Sequence, residues 1–389
     1  MGAEVGRCEH LQAVQVTPGF REVRYRGQEQ MGPSFMRGIG ILQPNSDHSV
    51  RAVANTKPLT ILFVTSMHPS TAFPVRGFIV LRLATALRAL GHRVELVELG
   101  VGHPLRYLLA RPRVAAAIRE KSPDVIHVHF GCSGLAVPRT SVPILTTFNG
   151  DDLTGTPDTR GRLSLKSRLG VLVSQYVALR SARCIAVSKT LRERLWTNSL
   201  RAKTTVVRDA VDPSLFRPLQ RDLARERLGM PKDEALIIFP HNAWEPRKRV
   251  WLAEAAVKVL SQWIPNARFW VVNGQGADEM PWYYAAADAM IVTSMFEGGP
   301  TATKEALSCG IPVVSVAVGD LELFQEAPTG LICADDTPLA LASALREVLQ
   351  RNPTERVSLL PDSVKLDEAA RRISGLYQDV VARARGMSA

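Results

Sequence analysis

Three features of this 389-residue chain predict two α/β domains, each a parallel sheet wrapped by helices. Short apolar runs alternate with helical segments from Leu59 to Arg208, and the alternation resumes at Ala235 and continues through a helix from about Pro338. A proline-punctuated polar stretch, Asp212–Pro218, stands between the two series as an interdomain linker. The length is too great for one core and ample for two.

Residues 1–55 carry no sustained period and are rich in Gly, Arg and Gln, so a flexible leader is expected, with Met36 a candidate initiator. Its first residues lack the apolar core of a secretory signal, and MGAEVG lacks the sixth-position Ser or Thr of an N-myristoylation site. The first domain, 56–215, opens with the strand LTILFVT. The loop MHPSTAFPVRGF and the helix IVLRLATALRAL follow, closed by Gly91 at the left-handed position after a helix end. The strand RVELVEL, a helical stretch to about Lys121, the strands DVIHVHF and PILTTF, a long basic helix, RCIAVS and TTVVR complete it. The second domain, 216–365, carries the strands ALIIFP, ARFWVV, AMIVTS and PVVSV with helices between them. An amphipathic helix at 366–384 lies in the final segment, 366–389.

The most informative stretch is EGGPTATKEALSCGIPVVSVAVGD, Glu297–Asp320. Gly298 and Gly299 let the backbone approach a ligand, and Pro300 starts a helix with its φ preset. Free N–H groups and the positive dipole end at Thr301 suit an anion. Glu297 and Glu305 place hydrogen-bond acceptors in the turn and within the helix, a pattern matched to a phosphate flanked by hydroxyls, as in a nucleotide sugar.

This segment resembles the Glu-x7-Glu signature of family 4 retaining glycosyltransferases. The resemblance implies the two-domain GT-B fold, with the final helix crossing back to the first domain. It covers roughly Leu59 to Ala384, more specifically in the second domain than in the first. It implies that Glu297 contacts the sugar, that Glu305 contacts the ribose, and that backbone at Gly298–Thr301 holds sugar or phosphate. HNAWEPRKRV, after ALIIFP, resembles the family's diphosphate element: Lys248 would stabilise the departing phosphate. Asn242 stands where the family commonly has Arg, leaving Arg247 or Arg249 to supply the second charge. Gly77 matches a loop glycine near the donor phosphate, with Arg76 beside it, and TFNGDDL resembles a His-Gly-x-Asp element on the acceptor or sugar side. There Asn149 replaces the His, which removes any titratable base, while Gly150 and Asp152 keep their places. Only ADEMP separates VVNGQG from WYYAAADAMIVTS, where many members carry a further strand and helix. In this the chain resembles the teichuronic-acid and exopolysaccharide subgroup.

The expected activity is transfer of a sugar from a nucleotide sugar, UDP-linked, to a saccharide or lipid-linked saccharide in envelope or exopolysaccharide synthesis. The alternative is a non-catalytic nucleotide-sugar or carbohydrate-binding member of an assembly complex, left open by Asn149 and Asn242. No cofactor or metal is expected. His127 and His129 share one face of a strand, but a metal site needs three or four ligands, and the pair is read as structural or cleft-lining. Asp288 reads as the end of a helix, and Asp320 follows a strand end of the second domain.

Five scattered cysteines with no CxxC pair read as reduced thiols of a cytoplasmic protein. Net charge is +11, and from Arg160 to Arg208 a dozen Lys and Arg face a single acid, Glu193. Nucleic acid is not expected, because only Tyr176 and Trp196 interleave with the cations. The segment SLKSRLGVLVSQYVALRSAR fits either a solvated helix face or contact with an anionic surface at the inner side of a membrane.

Overall fold

The computed structural model describes residues 57–67, 77–100, 102–156, 162–319, 331–333, 335–351 and 356–386. These fall within one compact unit spanning Asn55–Ala389. The leader 1–55, Arg76 and Asp320 lie outside the described residues.

The first domain runs β1 (Thr60–Thr65), α1 (Phe78–Ala89), β2 (Arg93–Glu98), α2 (Arg106–Leu109), α3 (Arg111–Lys121) and β3 (Val125–His129). It continues through β4 (Ile144–Phe148), α4 (Asp151–Thr154), α5 (Leu165–Arg180), β5 (Arg183–Ala186), α6 (Lys189–Arg192), α7 (Asn198–Ala202) and β6 (Thr204–Val206). All six strands are parallel, in the order β2-β1-β3-β4-β5-β6. Every residue of β3 and β4 is buried, as expected of central parallel strands covered by helices on both faces.

The second domain comprises α8 (Arg221–Leu228), β7 (Ala235–Phe239), α9 (Val250–Leu260), β8 (Ala267–Val271), α10 (Met280–Ala286) and β9 (Ala289–Val292). Then come α11 (Thr301–Ser308), β10 (Val313–Val316), β11 (Leu331–Cys333) and α12 (Pro338–Gln350). Its strands are also parallel, ordered β11-β10-β9-β7-β8. Strand order reverses at β7, which has β8 on one side and β9 on the other. In open α/β sheets the crevice beyond such a reversal is where ligands bind.

The last helix, α13 (Leu366–Ala384), returns to the first domain. Its Ala369, Ala370, Ile373, Tyr377, Val380 and Val381 share one apolar cluster with Ile61, Phe63, Val80, Leu87 and Val125. Two buried histidines anchor it. His92 Nδ1 accepts from the Leu59 N–H (3.2 Å), so its Nε2–H donates to Ser374 Oγ at 2.7 Å. His127 bonds the Tyr377 hydroxyl (2.6 Å) through Nδ1 and Thr147 Oγ1 (2.7 Å) through Nε2. The outgoing and returning crossings are themselves joined: Val211 N donates to Val364 O (3.0 Å) and Leu366 N to Val211 O (2.9 Å), a parallel bridge.

Helices α8 and α10 and strand β11 escape the periodicity. Seven-residue α10 has Pro, Trp and two Tyr and owes its shape to packing on α8, with the Arg227 guanidinium 4.6 Å from the Trp282 ring. Asp288 lies beyond the end of α10, and its role differs from the helix stop read from sequence. Its buried carboxylate binds Arg225 (2.7 Å), Arg221 (2.8 Å) and the Leu236 N–H (2.8 Å), tying α8 to the start of β7. Arg225, fully buried, also donates to the carbonyls of Ala286, Pro231, Lys232 and Glu234.

Tyr377→Phe keeps the ring in α13 and strips one His127 nitrogen of its partner. Urea unfolding should show a loss of about 1–3 kcal/mol; an unchanged midpoint would mean that apolar packing alone docks the helix.

Candidate active site

The loops after β7 and β9 meet at the reversal point and are stitched together. Thr293 Oγ1 donates to the carbonyls of Lys248 (2.8 Å) and Arg249 (3.1 Å), Arg249 Nε donates to Thr293 O (2.6 Å), and Met295 N donates to Arg247 O (2.8 Å). Arg249 adopts a left-handed conformation (φ 49°), which ends the 246–248 turn and starts α9.

This frame sets Glu297 between two cations. Lys248 Nζ lies 2.5 Å from Glu297 Oε1, and Arg247 Nη1 lies 3.2 Å from Oε2. Both ends of the Lys248–Glu297 pair are buried. Burial by itself would raise the carboxyl pKa, but Lys248 and Arg247 outweigh it and hold Glu297 down at about 2. Arg247 Nε also reaches Glu245 (2.6 Å), and the field of Asp151 from the first domain acts on it. The charges of Lys248 and Arg247 are therefore nearly balanced by the surrounding carboxylates. An arriving anion must draw Lys248 and Arg247 partly away from Glu297 and use the free N–H groups at the start of α11.

Across the cleft lies the loop after β4. Asp152 Oδ1 accepts from the N–H groups of Gly150 (2.9 Å) and Asn149 (3.1 Å), and its Oδ2 from Gly131 (3.0 Å). Its carboxylate is thus turned into the loop, where it shapes the backbone. Asn149 donates from Nδ2 to Met67 Sδ (3.0 Å), and its buried Oδ1 has no hydrogen-bond partner among the described residues. The two domains touch at this point: a Cβ on Gly298 would lie 2.1 Å from the Asn149 carbonyl oxygen, so only glycine fits.

A family profile described as Glycosyltransferase Family 4 matches residues 77–215, and one described as Glycosyl transferases group 1 matches residues 253–351. Together they cover more than half of the chain. The chain belongs to glycosyltransferase family 4. The D-inositol 3-phosphate glycosyltransferase of Mycolicibacterium smegmatis is 25% identical over 267 residues, 59% of this chain and 60% of that protein. The match therefore spans less than two thirds of that relative. A candidate teichuronic acid biosynthesis glycosyltransferase of Bacillus subtilis is 26% identical over 269 residues, 62% of this chain and 67% of that protein.

Among solved structures, sucrose-phosphate synthase from Thermosynechococcus elongatus superposes with a TM-score of 0.60 at 17% identity, covering 84% of this chain and all of that one. Anabaena HepE in complex with UDP and glucose gives 0.57 at 17%, covering 85% and 98%. UDP-GlcNAc 2-epimerase from Methanocaldococcus jannaschii gives 0.54 at 11%, covering 82% of this chain and all of that one. These likenesses establish the GT-B fold. Because an epimerase shares it, the fold does not choose the reaction.

In this family 4 chain the second signature glutamate, Glu305, faces across the domains. Arg82 of α1 lies 3.3 Å from its Oε1, and the Tyr284 hydroxyl of α10 donates to Oε2 at 3.2 Å. Burial raises the Glu305 pKa, and these two donors oppose that. The Arg82 guanidinium also stacks 5.0 Å from the ring of Phe216 in the linker. Gly77 adopts a left-handed conformation (φ 75°) as the residue before α1. Gly298, Gly299 and Pro300 lead into α11, with Thr301 its first residue, so the turn and helix fall where the sequence puts them.

Arg82, Tyr284, Asp151 and His241 escaped the sequence reading. His241, after β7, is buried, and its Nε2 has no partner among the described residues. Burial, and then Lys248, lower its pKa to about 3, so it stays neutral beside the pair. Its place directly before Asn242 was the available signal. His127 is spent on Tyr377 and Thr147 and serves the helix dock.

Two outcomes test this geometry. Gly298→Ala must push the two loops apart, so nucleotide-sugar binding by calorimetry should weaken at least about tenfold with the melting curve of each domain retained. Asp152 tests the loop after β4: burial lifts its pKa to about 6 against the pull of the Gly131, Gly150 and Asn149 N–H groups. With its folded pKa raised, Asp152 contributes stability that is complete below its unfolded pKa and lost as pH rises through about 6. Asp152→Asn should therefore remove a fall of on the order of 2–3 kcal/mol between about pH 4 and pH 6; an unaltered stability–pH profile would refute it.

Proposed function

We propose that this chain transfers a sugar, with retention of configuration, from a nucleotide sugar to a saccharide or lipid-linked saccharide acceptor in envelope or exopolysaccharide assembly. The observation that carries this is the buried Lys248–Glu297–Arg247 cluster beside the start of α11, facing the Asn149–Gly150 loop. Departure of a nucleoside diphosphate builds negative charge on phosphate. Lys248 and Arg247, already desolvated and fixed, would meet that charge with little reorganisation. Glu297, ionised across the physiological range, would orient the sugar hydroxyls and hold both cations until the phosphate competes for them. Glu305 would take the ribose hydroxyls in exchange for Arg82. Asn149 offers an amide to the sugar and cannot act as a base, so proton removal from the acceptor would fall to the departing phosphate.

UDP is the proposed leaving group, supported by the solved neighbour that holds UDP and glucose. In this scheme no bound metal is required, since Lys248, Arg247 and the α11 dipole take the part of a divalent ion.

The test is nucleoside diphosphate release from a panel of nucleotide sugars, with and without a lipid-linked saccharide extract. One donor should be consumed faster with extract, and Glu297→Ala and Lys248→Met should each lower turnover by about two to three orders of magnitude. Tight donor binding with no turnover under any condition would instead identify a non-catalytic nucleotide-sugar-binding protein.

A further inference from the structure

Helix α5 is packed inside out. Its buried face consists of Ser174, Gln175, Val177 and Ala178. Gly131 and Gly134 on the segment beneath bring the two backbones close: a Cβ on either would strike Ser174 or Val177 within 2.4 Å. Gln175 fixes the same side, donating to Arg194 O (3.0 Å) and accepting from Trp196 N (3.2 Å). The opposite face carries Leu165, Leu169, Leu172, Tyr176 and Leu179, exposed by 51–85%. Their spacings of four, three, four and three residues form one stripe about 21 Å long.

Cations flank the stripe. Lys166, Arg168 and Arg180 are its charged neighbours, and α5 contains no acid. Arg180 donates to the carbonyls of Val137 and Pro138, which holds its charge beside Tyr176. Next to the stripe, an open pocket is lined by Arg168, Arg194, Arg201, Val171, Leu195 and the exposed Trp196. Glu193 lines the same pocket and is already engaged by Arg192 (3.0 Å) and Arg201 (3.8 Å). Helix α2, packed on the same 131–136 segment, adds exposed Leu105, Leu108 and Leu109 around its own arginine, Arg106.

We propose that this face of α5, with Trp196 and the arginine-lined pocket, docks on the surface of a bilayer containing anionic lipid. Leucines and aromatic rings would enter the acyl boundary while the flanking guanidinium groups meet phosphate headgroups. Charge decides the occupant. A second copy seated on this stripe would set the cations of two α5 helices against each other with no α5 carboxylate to relieve them, and four leucines around a single tyrosine give nucleic acid no run of rings to stack on. Among the described residues no helix is long and apolar enough to cross a membrane, so the contact is interfacial. The inference stands apart from the transfer reaction, since binding is measured without any donor sugar.

The experiment is co-sedimentation of the full chain with vesicles of phosphatidylcholine alone and of phosphatidylcholine mixed equally with phosphatidylglycerol. Binding is expected only to the mixed vesicles. Leu169→Ser with Leu172→Ser should weaken it at least about tenfold, with an unchanged thermal midpoint because both positions are exposed. Arg168→Gln with Arg194→Gln should flatten its salt dependence. No binding to mixed vesicles, or equal binding by the leucine variant, would overturn the proposal. So would lipid-free dimerisation in sedimentation velocity that the leucine variant abolishes, which would make a second copy the occupant.

Discussion

The structure depends on the chain crossing between its domains twice. After β6 it leaves the first sheet, builds the second domain, and returns as α13, whose apolar face completes the first domain's core. The first domain thus lacks part of its interior until the last described helix is in place. Because Val211 pairs with Val364 and Leu366, the two crossings behave as one ribbon. Relative movement of the domains is channelled through that ribbon and the contacts at the cleft.

The active site and the Arg225–Asp288 centre solve the same electrostatic problem to different ends. In both, a buried carboxylate is compensated by neighbouring cations, three arginines at Asp288 and Lys248 with Arg247 at Glu297. At Asp288 the compensation is completed by backbone carbonyls and a backbone N–H, so the group is saturated and holds α8 against the sheet. At Glu297 the partners are side chains only, and a neutral imidazole with an unmet nitrogen stands close by. A saturated centre is rigid architecture, whereas a balanced but exchangeable one can accept another anion.

Much of this was legible in the sequence because parallel strands buried on both faces leave continuous apolar runs, and because Gly298, Gly299 and Pro300 admit few conformations. The strands with such runs, the α11 turn and the amphipathic last helix could be read that way, whereas Lys248, the sugar role expected of Glu297 and the return of the last helix to the first domain were implied by the family resemblance. What could not be read depends on long-range juxtaposition. Arg82 is one arginine among many until the fold lays α1 against α11. Tyr284 sits in a helix too short to show a period, and Asp152 looks like a ligand until three N–H groups are seen to converge on it. Helix α5 shows most plainly why pattern alone was ambiguous: apolar periodicity locates a stripe but does not say whether core or solvent receives it.

The close approach of Gly298 to Asn149 involves a carbonyl oxygen, which is common to every residue type. Position 149 can therefore exchange its side chain, and with it the polarity presented at the cleft, while the spacing between the halves stays fixed. Position 298 has no such latitude. The same contact thus separates two kinds of inheritance, a dimension held by the main chain and a preference carried by whatever side chain occupies the facing loop.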